Sequence, residues 1–106
     1  MTLTLTQKDY GYDINFTVKD SDGNAIDLTD YNIYFVLADQ NTYITRLTGN
    51  CVIVSASEGT CKYTLEEGDL DIPAGNYWGA LVLYKGTYQR SSQQFAVTIK
   101  LSLIHI

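Results

Sequence analysis

The sequence predicts an all-β protein in which two antiparallel sheets pack face to face. Segments with alternating apolar and polar residues recur along the chain, separated by turns rich in Gly, Asn and Asp. No segment carries apolar residues at helical spacing over three turns. In a chain of 106 residues, closely spaced strands favour a two-sheet Greek-key sandwich over a closed barrel.

The first half of the chain contains several predicted strands. Thr2 to Gln7 and Tyr12 to Lys19 alternate strictly, which gives each strand one buried face, and the second ends in a turn at Asp20 to Asn24. From Tyr31 to Leu37 both faces are apolar. One face carries Tyr31, Ile33, Phe35 and Leu37, and the other carries Tyr34 and Val36. A loop at Ala38 to Thr42, a short edge strand at Tyr43 to Leu47, a turn at Thr48 to Asn50 and a strand at Cys51 to Ala56 follow.

The second half closes the sandwich. After a turn at Ser55 to Gly59 and a strand that begins at Thr60, the segment Gly75-Asn-Tyr places a tyrosine corner where the chain passes from one sheet to the other. A hairpin then pairs Asn76 to Tyr84 with Tyr88 to Ile99 around Lys85-Gly-Thr. Together these features predict one immunoglobulin-like domain over residues 1–106, an all-β sandwich of about 7–8 antiparallel strands.

Residue parity in that hairpin predicts an apolar surface. If Tyr77 faces the core, so do Gly79, Leu81 and Leu83, together with Phe95, Val97, Ile99 and Leu101. Trp78, Ala80, Val82 and Tyr84 then point outward, on the same sheet as Tyr34 and Val36. Exposed apolar patches commonly mark contact surfaces, so the predicted binding residues are Tyr34, Val36, Trp78, Val82 and Tyr84. The alternative is that a one-residue shift, or a loop lying across the sheet, buries Trp78.

Composition and charge limit the classes of partner. The net charge is −5, and the seven Lys and Arg residues are scattered, so the basic stripe that nucleic acid requires is missing. The apolar stretch from Trp78 to Tyr84 is too short to span a bilayer, and the first residues do not form a signal peptide. We therefore expect no nucleic-acid partner and no membrane. Nine tyrosines are compatible with a recognition surface.

Cys51 and Cys61 are the two cysteines, placed on neighbouring predicted strands. A bridge between them is sterically possible, and its gain would be on the order of 2–3 kcal/mol for a loop of this size. A protein that is not exported meets a reducing cytosol, so we favour two reduced core thiols. Two cysteines without His partners are too few for a metal site.

The sequence offers little catalytic chemistry. His105, the one histidine, lies next to the end of the chain, where a general base is poorly held. Acidic residues crowd the segment from Glu66 to Asp71, which fits a solvated loop better than a paired-carboxylate site. Asp20, Asp22 and Asn24 begin like a calcium loop, but the later positions do not continue the pattern. We expect no enzyme, no cofactor and no metal.

Three segments carry a resemblance to a known family. They are Tyr12 to Asp30, with its Asp-x-x-Gly turn and Asp-Leu-Thr; Gly59-Thr-Cys-Lys-Tyr-Thr-Leu; and Gly75-Asn-Tyr-Trp-Gly-Ala-Leu. In this pattern the chain resembles the N-terminal immunoglobulin-like domain of phage baseplate upper proteins. Proteins of that family usually continue into a long helical and fibre-like region, which the 106-residue sequence does not include.

The resemblance implies a structural part of a phage or prophage tail. Such a domain docks a baseplate component onto neighbouring virion subunits, with possible self-association, and is assembled in the bacterial cytoplasm. No catalytic residue carries over. A second hypothesis is a carbohydrate-binding or adhesin-type module, in which Tyr and Trp rings stack on sugars.

Overall fold

The computed structural model describes residues 2–91 and 94–101, and it forms strands from almost every alternating segment of the sequence. The described residues contain nine strands: β1 (Thr2–Thr6), β2 (Asp13–Thr17), β3 (Asn32–Asp39), β4 (Thr45–Asn50), β5 (Val52–Ser55), β6 (Thr60–Thr64), β7 (Gly75–Lys85), β8 (Tyr88–Ser91) and β9 (Phe95–Lys100).

The strands form two sheets. The larger has the order β1-β9-β7-β3-β4, with β8 also paired to β7, and the smaller has the order β2-β6-β5. This arrangement is an immunoglobulin-like β-sandwich with Greek-key connections, as predicted. One detail of the prediction is wrong: β1 pairs with β9 in parallel, so the strands are not all antiparallel. β1 is the edge strand beside β9, and both strands run in the same direction.

A single apolar cluster fills the space between the sheets. Phe16 of β2, Phe35 of β3, Tyr63 of β6 and Phe95 of β9 pack ring against ring across the two layers. The inner faces of β3, β7 and β9 supply seven of the remaining side chains, as the alternation predicted. Besides the four rings, the buried apolar set includes Leu5, Ile14, Val18, Leu28, Ile33, Leu37, Leu47, Leu65, Leu70, Tyr77, Leu81, Leu83, Val97 and Ile99.

The predicted turn at Thr48 to Asn50 is wrong, because these residues belong to β4. Gly49 pairs with Phe35 and faces the core, where a Cβ atom would overlap the Tyr63 ring. The glycine is therefore required by the close approach of an aromatic side chain and not by a turn. β4 pairs with β3 whereas β5 pairs with β6, so the chain changes sheets at Cys51 with no loop between the strands.

The final hairpin also differs in part from the prediction. Its distal strand is divided into β8 and β9, and the register on β7 shifts by one residue between them. β9 ends at Lys100, and Leu101, which parity placed inward, is 62% exposed because it lies beyond the last paired residue. Tyr12, expected on the buried face of β2, precedes the strand and is exposed. His105 lies outside the described residues.

A tyrosine corner joins the two sheets before β7. Tyr77 is buried, and its hydroxyl donates a hydrogen bond to the carbonyl oxygen of Pro73, four residues upstream. This bond holds the entry of β7 against the loop that arrives from β6, which is the role of such a corner in sandwich domains. Burial raises the pKa of the Tyr77 hydroxyl, so it remains a donor throughout the neutral range.

We expect Tyr77→Phe to lower the free energy of unfolding by about 1 kcal/mol, because it removes one hydrogen bond while leaving the ring packed. Urea unfolding followed by Trp78 fluorescence measures the change. Tyr43→Phe is the matched control, since the Tyr43 ring is exposed and should be indifferent to the loss of its hydroxyl. Equal stability of the two variants would show that the corner bond does not stabilise the fold.

Candidate docking face

The outward side chains of β3 and β7 meet across the centre of the larger sheet. Tyr34 is directly opposite Val82, and Val36 is opposite Ala80. Because neighbouring strands in a sheet hold opposed side chains within contact distance, these residues form one continuous surface. We call it the outer apolar face, and define it as Tyr34, Val36, Trp78, Ala80, Val82 and Tyr84.

The structure places all five predicted binding residues on this face. Tyr34, Val36, Trp78 and Val82 are half-buried, and Tyr84 is 37% exposed. Trp78 is therefore outside the core, and neither a register shift nor an overlying loop buries it fully. It is opposite Ala38 on β3 and Ala96 on β9, and these small neighbours leave part of the indole ring open to solvent.

A shallow depression of about 330 Å³ lies at the centre of the outer apolar face. Tyr34, Val36, Val82 and Tyr84 line it, together with Thr48 of β4. The Tyr34 and Tyr84 rings meet edge to face, with centroids 5.6 Å apart and planes at 80°. Because the two planes are nearly perpendicular, the rings cannot both lie flat along the depression, so they do not form one flat aromatic platform.

Thr48 is the lining residue that sequence reasoning missed, because it was assigned to a turn. The signal that could have identified it is alternation: Leu47 is buried, Gly49 faces the core, and Thr48 between them must point outward. Ala38 was likewise assigned to a loop, although β3 continues to Asp39. Neither assignment could place these residues beside Val36 and Trp78.

A second group of aromatic residues lies at the β7–β8 end of the sheet. The Tyr31 and Tyr88 rings are 6.5 Å apart, and the Lys85 ammonium is 5.4 Å from the centroid of the Tyr31 ring. Cation–π contacts of this kind stabilise exposed aromatic side chains modestly. Tyr31 packs against the core, and Tyr88 is opposite Lys85, which has the same parity as the buried Leu83, so this group lies on the inner side of the sheet end and is not part of the outer apolar face.

The acidic groups singled out in the sequence have local structural roles. The Asp69 carboxylate accepts hydrogen bonds from the Tyr63 hydroxyl at 2.5 Å and from the Glu66 backbone N–H at 2.9 Å. Burial and this carboxylate raise the pKa of Tyr63. Asp20 likewise accepts from the backbone N–H groups of Asp22 and Asn24, which is how an Asx turn closes.

The described residues contain no group of three or more side chains arranged to hold a metal ion. That part of the chain also has no apolar helix of membrane-spanning length.

Comparison with known proteins supports the fold class. No protein-family model matches the chain, and no curated protein sequence matches it. Among solved structures, the chain is similar to CopC from Methylosinus trichosporium OB3b, with a TM-score of 0.51 and 9% identity over 93% of this chain and 85% of that one. Murine CRIg gives a TM-score of 0.36 and 11% identity over 95% and 92% of the two chains. At these identities the likeness to CopC concerns the fold alone, and the score for CRIg is too low to support any argument.

Proposed function

We propose that this domain is a non-enzymatic docking module of a phage or prophage tail baseplate, which binds a neighbouring virion subunit through the outer apolar face. The observation that supports the proposal most directly is the depression lined by Tyr34 and Tyr84, on a face whose central side chains are apolar. Aromatic side chains around a recess are typical of the residues that contribute most to protein–protein binding.

The segments that resemble baseplate upper proteins support the same proposal in a different way. Asp27 accepts hydrogen bonds from the Thr29 backbone N–H and hydroxyl, and the Leu28 side chain between them is fully buried. Tyr77 forms the corner bond to Pro73. The residues that carry the resemblance thus form a turn, a corner and part of the core. The resemblance therefore supports the class of domain, and the proposed binding surface is argued from the outer apolar face alone.

The carbohydrate-binding alternative is less well supported. Sugar rings stack on flat, accessible aromatic platforms flanked by polar hydrogen-bonding groups. Here the two tyrosine rings are nearly perpendicular, and two of the five residues that line the depression are valines. A protruding apolar side chain from a protein partner fits this lining better than a saccharide does.

The proposal predicts that Val82→Asp weakens binding at least tenfold without unfolding the domain. The carboxylate would be placed in an apolar recess and desolvated by the partner. Tail and baseplate proteins encoded beside its gene serve as the probes, purified individually and titrated against the domain by biolayer interferometry. Trp78→Ser should weaken the same interaction, and light scattering of the domain alone measures self-association.

Val54→Asp is the matched control. Val54 lies on β5 of the other sheet and is 59% exposed, and it does not line the depression, so the same change of chemistry falls away from the outer apolar face. We expect it to leave binding unchanged. Equal loss in both variants, or none in Val82→Asp, would remove this face as the binding site, and absence of any tail-protein partner would contradict the function itself.

A further inference from the structure

The two cysteines meet where the chain passes between the sheets. Cys51 lies between β4 and β5, and Cys61 lies in β6. Ile53 is opposite Cys61, and Cys51 precedes Ile53 by two residues just outside β5, so continuing the pairing of β5 with β6 makes Cys51 a diagonal neighbour of Cys61 on the side that faces the core. Both are free thiols, and the interaction between them raises the pKa of the Cys51 thiol and lowers that of the Cys61 thiol. The two side chains thus already influence each other in the reduced chain.

We infer that Cys51 and Cys61 are an oxidative modification site, which forms an intramolecular disulfide by exchange with a small disulfide such as oxidised glutathione. The Cys51 thiolate attacks one glutathione sulfur, which gives a mixed disulfide and releases the first glutathione thiolate. The Cys61 thiolate then attacks the Cys51 sulfur and releases the second. Both protein thiol protons pass to the departing glutathione thiolates, so one small disulfide is reduced for each protein disulfide formed.

Burial decides the order of these two steps. Cys51 is half-buried, whereas Cys61 is fully buried, so an external disulfide reaches Cys51 first. The interaction with Cys61, together with burial, raises the pKa of Cys51, whereas the same interaction lowers the pKa of Cys61, so the accessible thiol is the one that keeps its proton at neutral pH. Exchange is therefore expected to be slow, as suits a structural bond and not a catalytic dithiol.

The bond would join the two layers of the sandwich. The Cys51 backbone N–H donates to the Ile33 carbonyl oxygen of β3 in the larger sheet, whereas Cys61 belongs to β6 in the smaller sheet. A disulfide at this point therefore fixes the place where the chain crosses from one sheet to the other. The thiols stay reduced in a cytosol and the bond forms in an oxidising medium. This inference does not depend on the docking function.

The test uses the full chain in buffers with increasing ratios of oxidised to reduced glutathione. We expect both thiols to disappear together, with an intact mass that has lost two hydrogens and carries no glutathione, and with Cys51 and Cys61 joined in one pair of linked peptides. The melting temperature should rise by about 10 °C and return to its reduced value with dithiothreitol.

Two variants separate this result from general thiol oxidation. Cys61→Ala should accumulate a stable glutathione adduct on Cys51, because no second thiol can displace it. Cys51→Ala should resist modification, since Cys61 is shielded. The wild-type chain decides the matter even if a variant does not fold: two unreacted thiols, a lasting glutathione adduct, or reducible dimers would each overturn the inference.

Discussion

Phe35→Ala is expected to lower the free energy of unfolding by about 3–5 kcal/mol, the range for removing a fully buried aromatic ring. Phe35 is 0% exposed, and its ring contacts both layers of the sandwich. The centroid of the Phe16 ring is 5.4 Å away and that of Tyr63 is 5.5 Å away, both on the smaller sheet. Phe95, on the larger sheet, stacks at 6.4 Å and 9°. Chemical denaturation followed by circular dichroism measures the loss.

Two further variants serve as a milder substitution at the same site and as a control at an exposed site. Phe35→Leu keeps an apolar side chain in the site and should cost about 1–2 kcal/mol, so a measurement remains possible if the alanine variant does not fold. Val52→Ala removes apolar surface from an exposed side chain and should change the free energy of unfolding by less than about 0.5 kcal/mol. An alanine variant at Phe35 that is as stable as the one at Val52 would mean that the core is not organised around this ring.

Local alternation predicted much of this fold. The inward sets Tyr77, Gly79, Leu81 and Leu83 on β7, and Phe95, Val97 and Ile99 on β9, are buried as expected. Both faces of β7 are apolar, so its parity depends on placing Tyr77 at the corner, and a slip of one residue would exchange the two faces. The same parity placed the outer apolar face correctly, although its role in binding stays a prediction.

The errors occur where distant residues decide the local structure. Gly49 lies between Thr48 and Asn50, in a sequence typical of a turn. The ring of Tyr63, which belongs to the other sheet, explains why the strand needs a glycine there. Leu101 continues the alternation of β9, but pairing with β7 ends before it. The parallel pairing of β1 with β9 involves the two most distant strands of the chain, and no local pattern encodes it.

The same non-local contact leads to the second large prediction. Gly49→Ala should lower the free energy of unfolding by about 2–3 kcal/mol, because the new methyl group overlaps the Tyr63 ring and the core is overpacked. Tyr63 cannot move away cheaply, since its hydroxyl is held by Asp69 and its ring packs on Phe35. The expected fall in melting temperature is about 10–20 °C, measured by calorimetry.

A double-mutant cycle identifies the cause of that loss. In a Tyr63→Leu background the ring that a methyl group at position 49 would meet is gone, so adding Gly49→Ala should cost less than about 1 kcal/mol more. If the glycine were instead required by a turn, as its sequence context suggests, the substitution would cost the same in both backgrounds. The φ of Gly49 does not lie in the left-handed region, which argues against a conformational requirement. Unequal costs would establish that an aromatic side chain from the opposite sheet, and not the local backbone, requires glycine at this position.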